Sequence, residues 1–235
     1  TGCASSLRSF DHEQSLSAPM KPGMDLFTKM LLSILSPSGA RGRLMIFPYH
    51  RVLMEEDPLS PGSPGIQRFE RQLRRIRTYC NPLPLDEALE RLQAGTLPAR
   101  AVTITFDDGY ANNLEIAAPL LKRYGIPATV FVAVDALERG IMWNDIIIEA
   151  VRSAGDEINA NAMGLGRLEL TPGNRAEIVK RLIACVQYLH YRERLERALE
   201  LFQGVSHEPP PRLMLRREDL CRLNEFGIEV GAHTV

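Results

Sequence analysis

The run Ala101–Phe106 constrains the fold most, because it is a six-residue segment of small, β-branched and aromatic side chains without a charge. Segments of this kind form strands buried in a parallel sheet, and α/β proteins keep their chemistry at the carboxyl ends of such strands. Two carboxylates, Asp107 and Asp108, follow the run directly, and Gly109 comes next. We therefore predict a hydrolytic site at the end of this strand.

The adjacent carboxylates of Asp107 and Asp108 repel each other unless a cation or a shared proton offsets the two charges. The pair therefore indicates either a metal site or a division of roles between a base and a metal ligand. Gly109 lets the backbone turn with a positive φ and lets a substrate approach closely. The non-catalytic alternative is a capped turn before a helix that starts near Asn112.

Strand patterns and helix patterns alternate along the chain, which predicts parallel β/α units. Predicted strands cover residues 44–49, 101–106, 128–132 and 228–233, and predicted helices cover 69–79, 85–92, 114–121, 146–151 and 217–226. The apolar spacing in residues 178–199 predicts one long helix or a helical hairpin. An irregular link is expected before it, at 155–173, and a stiff proline segment follows at 209–211. This helical insertion is a lid, a wall of the substrate cleft or a structural helical pair.

The first residues differ from the rest of the chain. Residues 1–23 are polar, rich in serine and without periodicity, and we expect a disordered or non-native leader. Residues 24–35 form an amphipathic helix pattern, which either packs on the fold or touches a membrane surface with help from Lys29, Arg41 and Arg43. No segment predicts a signal peptide or a membrane span, so we expect a cytoplasmic or membrane-peripheral protein, with secretion as the alternative.

Composition excludes two classes of partner or site. A net charge of -1 offers no basic surface for nucleic acid. The four cysteines have no C-x-x-C spacing, so neither a zinc knuckle nor a disulfide framework is predicted.

Two motifs resemble those of the polysaccharide deacetylases, the NodB-like carbohydrate esterases. Residues 105–109, Thr-Phe-Asp-Asp-Gly, resemble the first motif of that family, and residues 227–234 resemble the strand that carries its His-Ser/Thr-x-x-His motif. Blocks at 47–52, 125–132 and 142–145 extend the resemblance over residues 44–235. It implies a distorted, seven-stranded (β/α) barrel, present here as its N-terminal part.

The resemblance also implies an activity, which is metal-dependent removal of N-acetyl groups from a polysaccharide. Asp107 is then the catalytic base, and Asp108 and His233 are metal ligands. The ligand types suit zinc, with cobalt, nickel or iron as alternatives. Gly109, Tyr110 and His50 are the candidate substrate contacts.

His50 follows the first predicted strand. It either touches substrate or a nearby carboxylate, or it is structural. Asn144 and Asp145 are interpreted mainly as caps of the following helix.

The family motif places a second histidine four residues after His233, two positions beyond Val235. We therefore expect this chain to lack the third ligand and the catalytic acid, and to expose unpaired sheet edges that make it poorly stable. The alternative function is a catalytically inactive barrel fragment that at most binds carbohydrate. A phospho-acceptor domain is a third class, but the order of acidic residues and strands does not match it.

Overall fold

The computed structural model describes residues 22–233 of the 235-residue chain. It contains a parallel sheet flanked by helices and a separate β-hairpin. The strands are β1 Met45–Tyr49, β2 Asn81–Pro82, β3 Ala101–Phe106, β4 Ala128–Val132, β5 Glu157–Asn159, β6 Arg167–Glu169 and β7 Ile228–Ala232. The α-helices are α1 Pro22–Leu35, α2 Ile66–Tyr79, α3 Leu85–Gln93, α4 Ala118–Tyr124, α5 Val134–Arg139, α6 Trp143–Ser153, α7 Arg175–Val186, α8 Tyr191–Gln203 and α9 Arg217–Glu225. Short 3₁₀-helices cover Gly39–Arg41 and Asn161–Met163, and a π-helix covers Asn113–Ala117.

The sheet has the strand order β1-β3-β4-β7, and every pairing in it is parallel. β2 adds to the first residues of β3. All six residues of β3 are buried, as its apolar sequence predicts. The predicted α/β class with a parallel sheet is confirmed. Within residues 22–233 the sheet is open, because β1 and β7 each pair along one edge.

The main core lies between the sheet and helices α2, α4 and α9. Phe69 and Leu73 of α2 are fully buried, since their spacing puts them on one face of the helix. The Phe69 ring lies 5.2 Å from the ring of Tyr49 and 6.0 Å from that of Phe106. This aromatic cluster fixes the carboxyl ends of β1 and β3 relative to each other.

A second core joins α6, α7, α8 and the β5–β6 hairpin. The segment that predicted one long helix or a hairpin is a hairpin of two helices, α7 and α8, with buried Leu182 and Leu201 facing the shared core. The prediction of an irregular link at 155–173 is wrong, because β5 and β6 pair there in antiparallel fashion. Strands of three residues are too short to show an alternating pattern in sequence.

The apolar stripe of α1 faces solvent. Leu26 is 72% exposed and Phe27 62% exposed. The helix instead contacts the fold through polar groups, since the Tyr79 hydroxyl donates to Asp25 at 2.6 Å and Arg100 donates to Ser33. The helix therefore contacts the fold, as one alternative expected, but through its polar face and not through its apolar stripe.

The predicted leader lies mostly outside the described residues, at 1–21, and α1 begins at Pro22 rather than at Met24. Across residues 22–233, every helix falls short of the length and hydropathy that a bilayer crossing requires.

Candidate active site

The candidate site lies at the edge of the sheet where the parallel strands end, the usual position for ligands in open α/β sheets. Asp107 and Asp108 follow β3, and His233 follows β7. The Asp107 N–H donates to the carbonyl of Tyr49 at 2.8 Å, and the His233 N–H donates to that of Val132 at 2.9 Å. These backbone bonds bring the ends of four strands into register, so residues far apart in sequence meet at one edge.

The turn after β3 has a left-handed backbone. Asp108 has φ +71° and Gly109 has φ +83°, and a Cβ at Gly109 would lie 3.1 Å from Cγ1 of Val132. Glycine at position 109 avoids both the strain of a positive φ and the steric clash with Val132. Aspartate tolerates the left-handed region better than most residues, yet the conformation still costs free energy, and such strain concentrates at functional sites.

Asp108 and His233 face each other across the ends of β3 and β7. Oδ1 of Asp108 lies 4.0 Å from Nδ1 of His233, and Asp108 is 9% exposed. Burial raises the pKa of Asp108 above its usual range, while the charges of His50 and His233 pull that pKa down. Asp107 is more exposed than Asp108. The two adjacent carboxylates therefore sit in different environments.

A carboxylate oxygen and an imidazole nitrogen are donor types that zinc and related divalent ions bind. Asp108 and His233 fit a metal as two donors on one side of the cleft. In residues 22–233, no cluster of three or more His, Cys, Asp or Glu side chains has a metal-binding arrangement. The described site thus offers two of the donors that such an ion needs.

His50 follows β1 directly, and its side chain is exposed close enough to Asp108 for its charge to act on that carboxyl. With the amide of Asn113 oriented so that both its polar atoms have partners, its nitrogen donates to the His50 carbonyl at 3.1 Å. The structure thus brings His50 to the same edge of the sheet as Asp108. Contact between His50 and substrate stays a prediction.

A buried network of polar side chains, Tyr110, Asp145 and Arg51, begins two residues after Asp108 in the chain. The Tyr110 hydroxyl donates to Oδ2 of Asp145 at 2.8 Å, and Nη1 of Arg51 lies 3.5 Å from Oδ1 of the same carboxylate. Tyr110, Asp145 and Arg51 are 3%, 1% and 7% exposed. The Arg51 guanidinium also lies over the Tyr110 ring, 5.0 Å from its centre.

The network changes two interpretations from sequence. The expected capping role of Asp145 is wrong, because Met142 is the N-cap residue of α6 and the Asp145 carboxylate is bound to Tyr110 and Arg51. Burial raises the pKa of Asp145, and burial together with the nearby Asp145 charge raises the pKa of Tyr110. The Tyr110 hydroxyl already has a partner in this arrangement, so its contact with substrate stays a prediction while a positioning role follows from its bonds.

A cavity of about 190 Å³ opens beside the Asp108–His233 pair. Trp143 from α6 and Tyr191 and Arg194 from α8 also line this cavity. The helical insertion therefore contributes to the cavity, and its role as a wall of the substrate cleft stays a prediction. Sequence reasoning did not single out Tyr191 or Arg194, because nothing in a helical hairpin some 80 residues further on indicates which of its side chains reach the sheet edge.

Comparisons with known proteins show the family to which the chain belongs. The family model described as polysaccharide deacetylase matches residues 94–235, more than half of the chain. The match begins at residue 94, later than the start of the resemblance at residue 44. A poly-β-1,6-N-acetyl-D-glucosamine N-deacetylase of Staphylococcus epidermidis is 35% identical over 98 residues, which cover 36% of this chain and 34% of that protein. The protein of the same name in Staphylococcus aureus is 39% identical over 66 residues, covering 28% of this chain and 23% of its own length.

Solved structures with a similar fold include IcaB from Ammonifex degensii and the Streptococcus pyogenes deacetylase PplD in complex with acetate. The first is 21% identical, with a TM-score of 0.38 over 82% of this chain and 98% of that one. The second is 16% identical, with a TM-score of 0.37 over 80% of this chain and 91% of that one. The curated relatives are matched over about a third of their length or less. The family match over more than half of the chain shows that this chain belongs to the polysaccharide deacetylase family.

Proposed function

We propose that this chain forms the active site of a metal-dependent hydrolase that removes N-acetyl groups from a polysaccharide built of N-acetylated hexosamine. The observation that carries the proposal is the meeting of Asp107, Asp108 and His233 at one edge of the sheet, with Asp108 and His233 4.0 Å apart. The names of the curated relatives support an acetylated glucosamine polymer as the substrate class.

Asp108 and His233 would hold the divalent ion, most favourably zinc, with cobalt, nickel or iron as alternatives. When bound, the ion would supply Lewis-acid polarisation of the acetamide carbonyl. The resemblance assigns these ligand roles, and two observations support them: Oδ1 of Asp108 lies 4.0 Å from Nδ1 of His233, and the carbonyl of Asp108 accepts from the Ala133 N–H at 3.0 Å.

Asp107 would act as the general base that takes the proton of the attacking water. Its side chain is the more accessible of the two carboxylates, and its backbone is fixed by the bond to Tyr49. Gly109 would allow the left-handed turn that follows the two carboxylates, because a Cβ at this position would crowd Val132 at 3.1 Å.

The second candidate function is a barrel that binds carbohydrate without cleaving it. The observation that favours it is that residues 22–233 supply two metal donors rather than three. Acetate release separates the two functions, because a binding protein would hold N-acetylglucosamine oligomers and release no acetate.

The test measures released acetate and bound metal together for the wild type and two variants. Asp107→Asn should keep the metal and lower acetate release by roughly 10²-fold or more, the scale of losing a general base. Asp108→Asn should lose metal, and excess metal should restore part of the activity. If Asp107→Asn lost the metal while Asp108→Asn kept both metal and activity, the assigned roles would be reversed. Acetate release that neither variant altered would exclude the proposed site.

A further inference from the structure

Trp143, Tyr191 and Arg194 form one wall of the cavity that Asp108 and His233 also line, and in this wall aromatic rings stack against guanidinium groups. Cζ of Arg194 lies 5.0 Å from the ring centre of Trp143 and 5.7 Å from that of Tyr191. Cζ of Arg139 lies 5.5 Å from the Tyr191 ring centre. Cation–π contacts of this kind attract a guanidinium to the face of an aromatic ring, so they help to position Arg194 without a carboxylate partner.

The Arg194 guanidinium has an N–H group that no acceptor among the described residues satisfies. Arg139 is paired with Asp135 at 2.9 Å, although its Nη1 is also buried without a hydrogen-bond partner among the described residues. Arg194 instead donates from Nη1 to the backbone carbonyl of Gln187 at 3.4 Å, and its Nε is buried with no hydrogen-bond partner among residues 22–233. A buried guanidinium nitrogen without a partner costs free energy, so the protein around Arg194 satisfies this guanidinium incompletely.

Arg194 lies close to the candidate site. Arg194, Tyr191 and Trp143 line the same 190 Å³ cavity as Asp108 and His233. A substrate with its acetamide at Asp108 and His233 would therefore place its sugar ring, or the next ring, against this wall. Aromatic rings suit the apolar face of a sugar, and a planar guanidinium suits a carboxylate or a phosphate through charge-assisted hydrogen bonds.

We propose that Arg194, together with Trp143 and Tyr191, forms a sugar subsite that selects substrates carrying an anionic substituent, a carboxylate or a phosphate, on or next to the acetylated ring. The inference deepens the proposed function and rests on it for the position of the acetamide. Binding at the subsite itself does not depend on catalysis.

Trp143 is the single tryptophan of the chain, so its fluorescence reports directly on this wall. The experiment titrates the protein with three oligosaccharides of equal length: neutral N-acetylglucosamine, one with lactyl carboxylates on alternate rings, and one with 6-phosphates. We expect at least one anionic oligomer to bind at least about tenfold tighter than the neutral one, the scale of one hydrogen bond to a charged group. The carboxylate and phosphate arms identify which anion is preferred.

Variants on one helix provide the controls. Arg194→Gln should reduce the anionic preference to nothing while neutral binding is retained, and Arg194→Lys should keep part of the preference because it keeps the charge but loses the planar fork. Arg192→Gln, an exposed arginine two residues away, should behave as the wild type. In the wild type the preference should weaken as salt is added, which tests the charge even if Arg194→Gln does not fold.

Equal affinity of the wild type for the neutral and anionic oligomers would overturn the inference, as would a preference that survives in folded Arg194→Gln. The fluorescence preference should also persist in Asp107→Asn, where acetate release is expected to be lost. A wild type that shows the preference but releases no acetate would therefore remove the proposed function and leave the subsite. A wild type that releases acetate but shows no preference for the anionic oligomers would remove the subsite and leave the proposed function.

Discussion

Oδ1 of Asp108 and Nδ1 of His233 lie 4.0 Å apart although 125 positions separate the two residues in sequence. The pairing of β4 with both β3 and β7 creates this contact, because all three strands run in the same direction and end at one edge. The distance depends on strand register, so a change in either strand's position would separate the donors.

Metal binding should depend on both of these side chains. We expect Asp108→Asn and His233→Ala each to lower zinc affinity by about tenfold or more, because even the outer partners of metal ligands cost 10–100-fold when removed. Asp107→Asn is the matched control and should bind zinc as the wild type does. Zinc titration by calorimetry at constant pH measures all four proteins. Unchanged affinity in His233→Ala would show that the ion is held elsewhere.

The buried carboxyl of Asp145 should make stability depend on pH. Burial raises its pKa in the folded state above the unfolded value of about 3.9. The folded state then binds this proton more tightly, so the stabilising contribution is fully present below the unfolded pKa and is lost as the pH rises through the folded pKa. Asp145→Asn lacks that contribution, and the wild type's advantage in free energy of unfolding over this variant should shrink from about pH 4 upward.

Urea unfolding of both proteins between about pH 4 and 8 measures this difference. An advantage of the wild type that grew with pH would mean that Arg51 and Tyr110, which lower the pKa of Asp145, outweigh burial.

Gly109→Ala should destabilise the protein through two separate costs. Alanine in the left-handed region costs about 1–2 kcal/mol, and its methyl group would also crowd Val132 at 3.1 Å. Gly164→Ala is the matched control, because Gly164 has φ +74° and open space around its Cβ position. Thermal unfolding should therefore show a larger loss for Gly109→Ala. Equal losses would show that Val132 moves aside at no cost.

The exposed apolar stripe of α1 should bind weakly to vesicles. Phe27 and Ile34 are 62% and 69% exposed, and Arg41 and Arg43 supply a small positive charge nearby. We expect co-sedimentation with anionic vesicles that falls with added salt and is lost in the double variant Phe27→Ser, Ile34→Ser. Leu89→Ser, which removes an exposed leucine of α3, should leave binding unchanged. Binding that persisted in the double variant would exclude α1 as the contact.

Local sequence sufficed for the four strands β1, β3, β4 and β7 and for the turn that follows β3, but not for the shorter strands β2, β5 and β6. The uncharged run Ala101–Phe106 predicted a buried strand, and the structure buries all six residues. The helix predicted at 69–79 lies within α2, whose Phe69 and Leu73 are buried on one face. These outcomes depend on backbone preferences and on apolar periodicity, both of which act over a few residues.

Sequence periodicity did not determine how each element faces its neighbours. It identified an apolar stripe on α1, but bonds from Tyr79 and Arg100 to the polar face leave that stripe in solvent. The local pattern likewise predicted that Asp145 caps a helix. Tertiary packing instead buries Asp145, where it accepts a hydrogen bond from Tyr110.

The sequence by itself determined the parallel α/β class, the acidic turn and the family to which the chain belongs. Only the tertiary structure placed His233 opposite Asp108 and brought Arg194 to the cavity beside them. The physical reason is that strand register and helix docking are set by contacts between segments far apart in the chain, and no pattern of a few residues encodes those contacts.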